Sequence, residues 1–339
     1  MSANTKYVNI ALQGGGAHGA FTWGVLDHLL EDGRLTFDGL SGTSAGAMNA
    51  ALMVQGLIEG GREAARAKLA AFWGRIADAF ACSPLRPSPI ERFLYGYDLT
   101  FTAGYLAFDA VTRTLAPVQF NPFDLNPLRD ILDDLVDPDT LHGCTQHRLF
   151  ISATNVRTGR NRVFTEREVT IDALLASACL PHLYRAVEIE GEAYWDGGYM
   201  GNPALWPMFY RCTAPDIIVV EINPIHRPDV PDTAPEIINR VNEISFNTAL
   251  MSEMRAIAFV QKLLDQGAVD PARYKRLNIH SINAEQAMAR FNVSTKFNGD
   301  IGFLSELRDL GREAARAWLA RAFDMVGVGS SVDLRARYL

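Results

Sequence analysis

Apolar positions follow two different periods along this chain, and their alternation predicts the architecture. Tyr7–Leu12 (YVNIAL) is a short continuous apolar run that stops at a glycine cluster, the pattern of a buried strand. After the Gln13–Gly16 loop, Ala17–Leu30 has helical spacing, with Ala20, Trp23, Gly24 and Leu30 on the inward side and Gly33 closing it. Phe37–Ser41 is a second short strand, and it runs straight into Gly42-Thr43-Ser44-Ala45-Gly46. Ala45–Leu57 is apolar and rich in Ala and Met, the composition of a buried helix. Strand, loop, helix, strand, turn, helix is the grammar of an α/β sheet with parallel strands.

The same patterns place later strands at Arg148–Thr154, Arg162–Thr165, Val187–Ile189, Ala193–Trp195, Ile217–Ile222 and Arg276–Ile282. They place a helix at Ile171–Cys179, N-capped by Thr170. Long helical stretches cover Glu236–Gln266 and Asp300–Phe323. Between Ala81 and Pro127 the grammar lapses. Pro84, Pro87 and Pro89 break the chain, and Phe93, Tyr95, Tyr97, Phe101, Tyr105 and Phe108 follow among Gly and Thr. This reads as an insertion over the sheet, a cap or lid, whose aromatics either contact an interface or pack the insertion onto the body. The heptapeptide GREAARA occurs at Gly61–Ala67 and again at Gly311–Ala317, but the flanks differ, so no duplication is inferred. The expected organisation is a core over 5–225, including the 81–127 insertion, with a mainly helical extension over 226–339 packed on it.

Composition narrows the function classes. A net charge of -7 over 339 residues lacks the basic face that a nucleic-acid partner requires. Polar residues open the chain, and no apolar run reaches the roughly 18–20 residues of a membrane span, so a cytoplasmic protein is expected. Cys82, Cys144, Cys179 and Cys212 are widely spaced and read as reduced thiols.

Three motifs carry chemistry. Gly42-Thr43-Ser44-Ala45-Gly46 matches G-x-S-x-G, whose small residues let a strand turn sharply into a helix with the serine exposed on the turn. Gly14-Gly15-Gly16-Ala17-His18-Gly19 follows the first strand and opens a helix. It fits a dinucleotide fingerprint less well than an oxyanion hole, because the second strand ends in the serine turn rather than in an acidic residue. Asp196-Gly197-Gly198 follows a Tyr-Trp strand end, where an aspartate either points into a site or simply forms a turn.

In this order and context, with Ala176-Ser177-Ala178-Cys179-Leu180-Pro181 between them, the motifs resemble the patatin-like phospholipase family, bacterial Ser-Asp dyad acyl hydrolases, over about Tyr7 to Ile222. The resemblance implies a three-layer α/β fold with a mostly parallel central sheet. It implies Ser44 as nucleophile, Asp196 as general base, and Gly14, Gly15 and Gly16 as the oxyanion loop. His18, Pro181, His182 and Gly197 are candidates for lining the pocket. No cofactor or metal is implied, and activity independent of calcium is expected.

The family often carries Lys or Arg where this chain has His18, which leaves a headgroup-phosphate role at that position open. The implied reaction is hydrolysis of lipid acyl esters, phospholipase A or lysophospholipase-like, with transient contact at a lipid surface. Alternatives are an esterase or depolymerase acting on neutral lipid or storage polyester, and a non-catalytic lipid-binding or scaffold protein. A Ser-His-Asp triad through His280 and a zinc site at His142, Cys144 and His147 are weaker readings of the residues. Thr43, where fatty-acid acyl transferases carry His, favours hydrolysis over transfer to a carrier and leaves transfer to an alcohol open.

Overall fold

The computed structural model describes residues 5–339. Its strands are β1 (Lys6–Leu12), β2 (Leu35–Thr43), β3 (Arg148–Asn155), β4 (Asn161–Thr165), β5 (Val187–Ile189), β6 (Glu192–Asp196), β7 (Asp216–Val220) and β8 (Asn278–Ile282). They form one sheet in the order β5-β6-β3-β2-β1-β7-β8, with β4 pairing β3 outside this path. The four pairs in the centre and towards β8 are parallel, and those among β3, β4, β5 and β6 are antiparallel.

Strand periodicity divides the apolar residues between two cores. Ile10, Leu12, Ile218 and Val220 face a cluster built with the early helices and the helix at Ile301–Ala322. Their chain neighbours Ala11, Ile217 and Val219 face a second cluster with Leu250, Met254 and Ile257 of the helix at Ala234–Asp265. A sheet covered on both faces explains why its strands read as continuous apolar runs. The fold is therefore α/β in three layers, as expected.

One edge of β3 is shared by two strands. β2 pairs with it up to Thr43↔Ser152, while β6 pairs from Ala153↔Asp196 onwards. β4 holds the opposite edge, since Ser152 also pairs with Val163 and Ala153 with Arg162. β6 thus begins where β2 stops, and the residues after Thr43 meet Asp196 across that junction.

Two early helices pack on the first core, α1 (Gly19–Asp32) and α2 (Ala45–Ala81). The second is longer than the sequence pattern suggests because it continues past a kink at Gly60 and Gly61. The repeated heptapeptide begins at that kink, where Gly61 has φ +74° and open space around it. In the second copy, Gly311 lies where α1 crosses the Ile301–Ala322 helix, and a Cβ there would stand 2.0 Å from the Phe21 carbonyl oxygen. Gly24 faces Arg308 as closely from the other side. The two copies do different physical work, in line with the absence of a duplication.

The 81–127 insertion is mostly helical, with segments at Pro89–Tyr95, Ala103–Thr114 and Pro117–Phe120. Its aromatics divide into two groups. Tyr97 packs on Phe303, and Tyr105 and Phe108 pack on Phe297, so these three fasten the insertion to the C-terminal part. Phe93, Phe101 and Phe123 project into solvent at 89%, 58% and 84% exposure. No helix among the described residues is long and apolar enough to cross a membrane.

Crowding at the helix crossing gives a direct test. Gly311→Ala is expected to lower the unfolding free energy by roughly 1–3 kcal/mol, because backbone must move to admit the methyl group. Gly33→Asn, at the left-handed C-cap of α1 with free space around it, is expected to cost less than about 1 kcal/mol. Urea titration of both variants checks the contrast.

Candidate active site

The turn after β2 is built by close approach. Ser44 has φ 55° and ψ −125°, a conformation that costs a non-glycine residue on the order of 1–3 kcal/mol and survives only where surroundings enforce it. The enforcement comes from both sides. A Cβ on Gly46 would stand 2.3 Å from the Leu12 carbonyl oxygen, and one on Gly14 2.6 Å from that of Thr43. Only glycine lets the start of α2 and the Gly14 loop press this closely on the turn. The Thr43 hydroxyl donates to the Gly201 carbonyl at 2.6 Å and fixes the preceding residue.

Asp196 reaches the same point from the other strand. Its side chain is buried and accepts the Gly198 amide at 2.7 Å, and the nearby Ser44 hydroxyl favours its charged form. Burial pushes its carboxyl up to about 6, with the Gly198 amide, the Ser44 hydroxyl and the Lys296 charge pulling back. The small-residue segment before Pro181 locks both partners in place. Ser177 Oγ accepts the Ser44 amide at 2.9 Å, and the Cys179 carbonyl accepts the Asp196 amide at 2.8 Å. Chemically, a carboxylate in contact with a hydroxyl on a strained, water-poor turn can take up that hydroxyl's proton.

A cavity of about 390 Å³ opens onto this pair. Gly15, Gly16, Ser44 and Asp196 line it, with an apolar wall that includes Met48, Phe72, Trp73, Phe80, Leu128 and Ile131. Gly14 is placed differently from its expected role. Its amide donates to Asn202 Oδ1 at 2.6 Å, and of the loop glycines Gly15 and Gly16 line the cavity.

The four candidate lining residues lie elsewhere. His182 is exposed, Pro181 is only partly covered, and Gly197 is packed against Ser152, none of them on the cavity wall. His18 is buried behind the loop between Phe291 and Phe303. The Thr295 hydroxyl donates to the Asn292 carbonyl, so His18 Nε2 carries the hydrogen and donates to Thr295 Oγ1 at 2.7 Å. Burial first, and then the Lys296 charge, hold this imidazole well below its usual pKa, so it is neutral.

The other histidines are committed away from Ser44. His280 bridges Asp216 and Ser331 in the second half of the sheet, and no histidine lines the cavity. His142 and His147 bond the backbone carbonyls of Val169 and Phe37.

Sequence reasoning missed Lys296, Asn242 and Phe246, which line the cavity from beyond residue 240. It also missed Asn202 and Asn223, whose amides hold the Gly14 loop. Buried asparagines beside Pro203 and Pro224 were the only available signal.

The profile described as Patatin-like phospholipase matches residues 10–208, more than half of the chain. The chain belongs to this family. Membership implies an acyl hydrolase of the serine-hydrolase class. Curated proteins give no match. Among solved structures, VipD from Legionella pneumophila is similar at 17% identity and a TM-score of 0.37, with 96% of this chain and 76% of that one covered. The ExoU–SpcU complex of Pseudomonas aeruginosa is similar at 18% identity and a TM-score of 0.34, covering 95% of this chain and 61% of the other. The type III effector ExoU gives 14%, 0.35, 94% and 53%. These are distant likenesses, and nothing is carried from them to this chain.

The raised Asp196 carboxyl is also a statement about stability. Its folded pKa of about 6 lies above the ordinary 3.8, so the fold prefers the protonated form. That preference is fully satisfied below about pH 4 and is lost as pH rises through 6. Asp196→Asn, which keeps an acceptor for the Gly198 amide, is therefore expected to be more stable than the wild type by about 2–3 kcal/mol above pH 6. The gain should vanish near pH 4. Chemical denaturation of both proteins at pH 4 and pH 8 measures the difference.

Proposed function

We propose that the chain hydrolyses lipid acyl esters, with Ser44 as nucleophile and Asp196 as its base. The observation that carries this reading is the Ser44 hydroxyl held against a buried carboxylate at the mouth of an apolar cavity. Asp196 takes the hydroxyl proton while Ser44 Oγ attacks the ester carbonyl, giving a tetrahedral oxyanion. The Gly15 and Gly16 amides face that oxyanion, and the start of α2 adds its positive end. Collapse passes the proton from Asp196 to the departing alkoxide and leaves an acyl-serine. Water then gives its proton to Asp196 as it attacks the acyl carbon, and collapse returns that proton to Ser44 Oγ as the acid is released.

A carboxylate is a weak base for a hydroxyl, and burial corrects part of the mismatch. At about 6, the Asp196 carboxyl is a stronger base than an exposed aspartate and is still ionised at neutral pH. The apolar wall accepts an acyl chain and excludes water from the pair.

Exposed apolar side chains on the insertion support delivery from a lipid surface. Ile90, Phe93, Leu94, Phe101, Phe123 and Leu125 protrude from the segment that also supplies Leu85 to the cavity wall. Tyr97 and Tyr105, by contrast, pack on Phe303 and Phe297.

Three outcomes are expected. A fluorophosphonate probe should label Ser44, and Ser44→Ala and Asp196→Asn should each lower kcat/KM on a soluble short-chain ester by at least roughly 10³-fold without unfolding the chain. A folded wild type that resists labelling overturns the assignment. For the wild type, kcat/KM should rise with pH through about 6 and then level off, since the base acts in its ionised form. Replacing Phe93, Phe101 and Phe123 together by Ser should weaken vesicle binding several-fold yet spare the soluble ester. Equal losses in both assays contradict a surface role.

A further inference from the structure

Gly14 gives both of its backbone polar groups to asparagine side chains. Its amide donates to Asn202 Oδ1 at 2.6 Å, and its carbonyl accepts from Asn223 Nδ2 at 3.1 Å. Both asparagines are buried, and neither they nor Gly14 belong to the cavity wall. The second bond reaches beyond Gly14, because the Gly14 carbonyl shares a peptide plane with the Gly15 N–H.

That peptide is trans, so its C=O and N–H point in opposite directions. The oxygen is turned into the asparagine cluster. The Gly15 N–H is therefore turned the other way, and Gly15 lines the cavity. Gly15 is buried, yet among the described residues no acceptor takes its amide. A buried N–H without an acceptor in the chain is uncommon and calls for a partner from outside it.

Asn223 can hold only this orientation. Its Oδ1 accepts from the Lys296 ammonium at 2.9 Å, a group that can only donate. Its Nδ2 meets the Gly14 carbonyl, which can only accept, and its second N–H goes to Gln13 Oε1 at 3.4 Å. The side-chain amide therefore cannot be reversed. Its backbone is fixed as well. Gln13 Oε1 accepts the Ile222 and Asn223 amides at 2.8 and 3.0 Å, and Gln13 Nε2 donates to Asn247 Oδ1 at 3.0 Å. Asn247 donates in turn to the Pro224 carbonyl at 3.1 Å. Neutral amides thus tie the chain just after β7 to the start of the glycine loop.

The next peptide plane is held differently. The Gly15 carbonyl accepts the His18 amide at 3.2 Å, which orients the Gly16 N–H through the chain's own helical turn. The plane carrying the Gly15 N–H depends instead on a side chain from far along the sequence. It needs such a hold, because turning it changes only ψ of Gly14 and φ of Gly15, and glycines resist rotation least.

We infer that Asn223 is a positioning residue for the reaction: by holding the Gly14 carbonyl, it aims the Gly15 N–H at the oxyanion formed on the ester carbon. This rests on the Ser44–Asp196 reading and adds the support that the glycine loop takes from outside itself. Asn223 touches no substrate. Its contribution grows as charge develops on the carbonyl oxygen, so it acts on turnover rather than on substrate binding.

The test is Asn223→Leu, close in size and without a donor. On a soluble short-chain ester, kcat should fall roughly 10- to 100-fold with KM within about threefold of the wild type, since a loosened oxyanion donor costs less than a deleted one. A second readout is inhibition by 1,1,1-trifluorodecan-2-one. Ser44 Oγ adds to its carbonyl carbon, the serine proton passes to Asp196, and the hemiketal oxyanion takes the place of the reaction's own. Its inhibition constant should rise by the same factor as kcat/KM falls. The pH dependence should keep its midpoint at about 6, because the base is untouched. Asn223→Asp keeps an acceptor for Lys296 but offers no donor when ionised, and it should lose kcat as well. An unchanged kcat in Asn223→Leu overturns the inference, and so does wild-type kcat in Asn223→Asp. A loss carried by KM or by a shifted pH midpoint, with the ketone bound as tightly as before, also overturns it.

Should Asn223→Leu fail to fold, a crystal structure of the wild-type ketone adduct decides. The adduct oxygen should accept the Gly15 amide while the Gly14 carbonyl stays on Asn223. An adduct oxygen out of hydrogen-bond reach of the Gly15 amide overturns the inference. A folded wild type that hydrolyses no ester and takes neither the ketone nor the fluorophosphonate probe is a different result, which removes the parent reading and this inference with it.

Discussion

Everything at the site depends on how one edge of β3 is divided. β2 occupies that edge until Thr43↔Ser152, and β6 takes it over at Ala153↔Asp196. Successive residues of a single strand thus hold the two chains that deliver Ser44 and Asp196. The separation between hydroxyl and carboxylate is set by ladder hydrogen bonds rather than by flexible loops. A slip of one residue in either pairing would turn the side chain to the other face of the sheet. The strain at Ser44 is sustained by the same arrangement, since the glycines around the turn admit neighbouring backbone so closely that no relaxed alternative fits.

How much of this was legible in the sequence follows from the range of each interaction. Buried strands and helices announce themselves through period, so every strand of the sheet was anticipated to within a few residues. The Gly14 loop, the serine turn and Asp196 were legible because each needs special backbone within a few consecutive positions. Ser177 stood inside a recognised motif, but its grip on the Ser44 amide is a contact across 133 positions that no local pattern encodes. Lys296 was less visible still. It sits in a polar stretch that reads as an ordinary loop, and only tertiary packing brings it to the cavity. The aromatic insertion shows the converse limit. Composition revealed an unusual density of rings, whereas the division between Tyr97 on Phe303 and Phe93 in solvent depends on which helix face is covered.

The electrostatics of the cavity work against its stability. A carboxylate and an ammonium are both held in poorly hydrated surroundings, and each is displaced from its ordinary protonation range by burial. They are not paired directly, so neither recovers the full cost of leaving water. Such an arrangement fits a site shaped by chemistry, where charges stay available to a third party, better than a core shaped for cohesion. The asparagines at 202, 223, 242 and 247 make it tolerable, because neutral amides satisfy donors and acceptors without adding charge.

The late position of the cavity's second wall bears on biosynthesis. Ribosomal synthesis runs from the amino end, and early segments fold first. A growing chain has made the serine turn, the glycine loop and Asp196 well before it contains Asn242, Phe246, Lys296 and Phe297. Until those residues emerge, the reactive turn has no complete enclosure, and the hydroxyl and carboxylate stand in water. The nascent polypeptide therefore carries the Ser44 turn and Asp196 before it has the wall that encloses them.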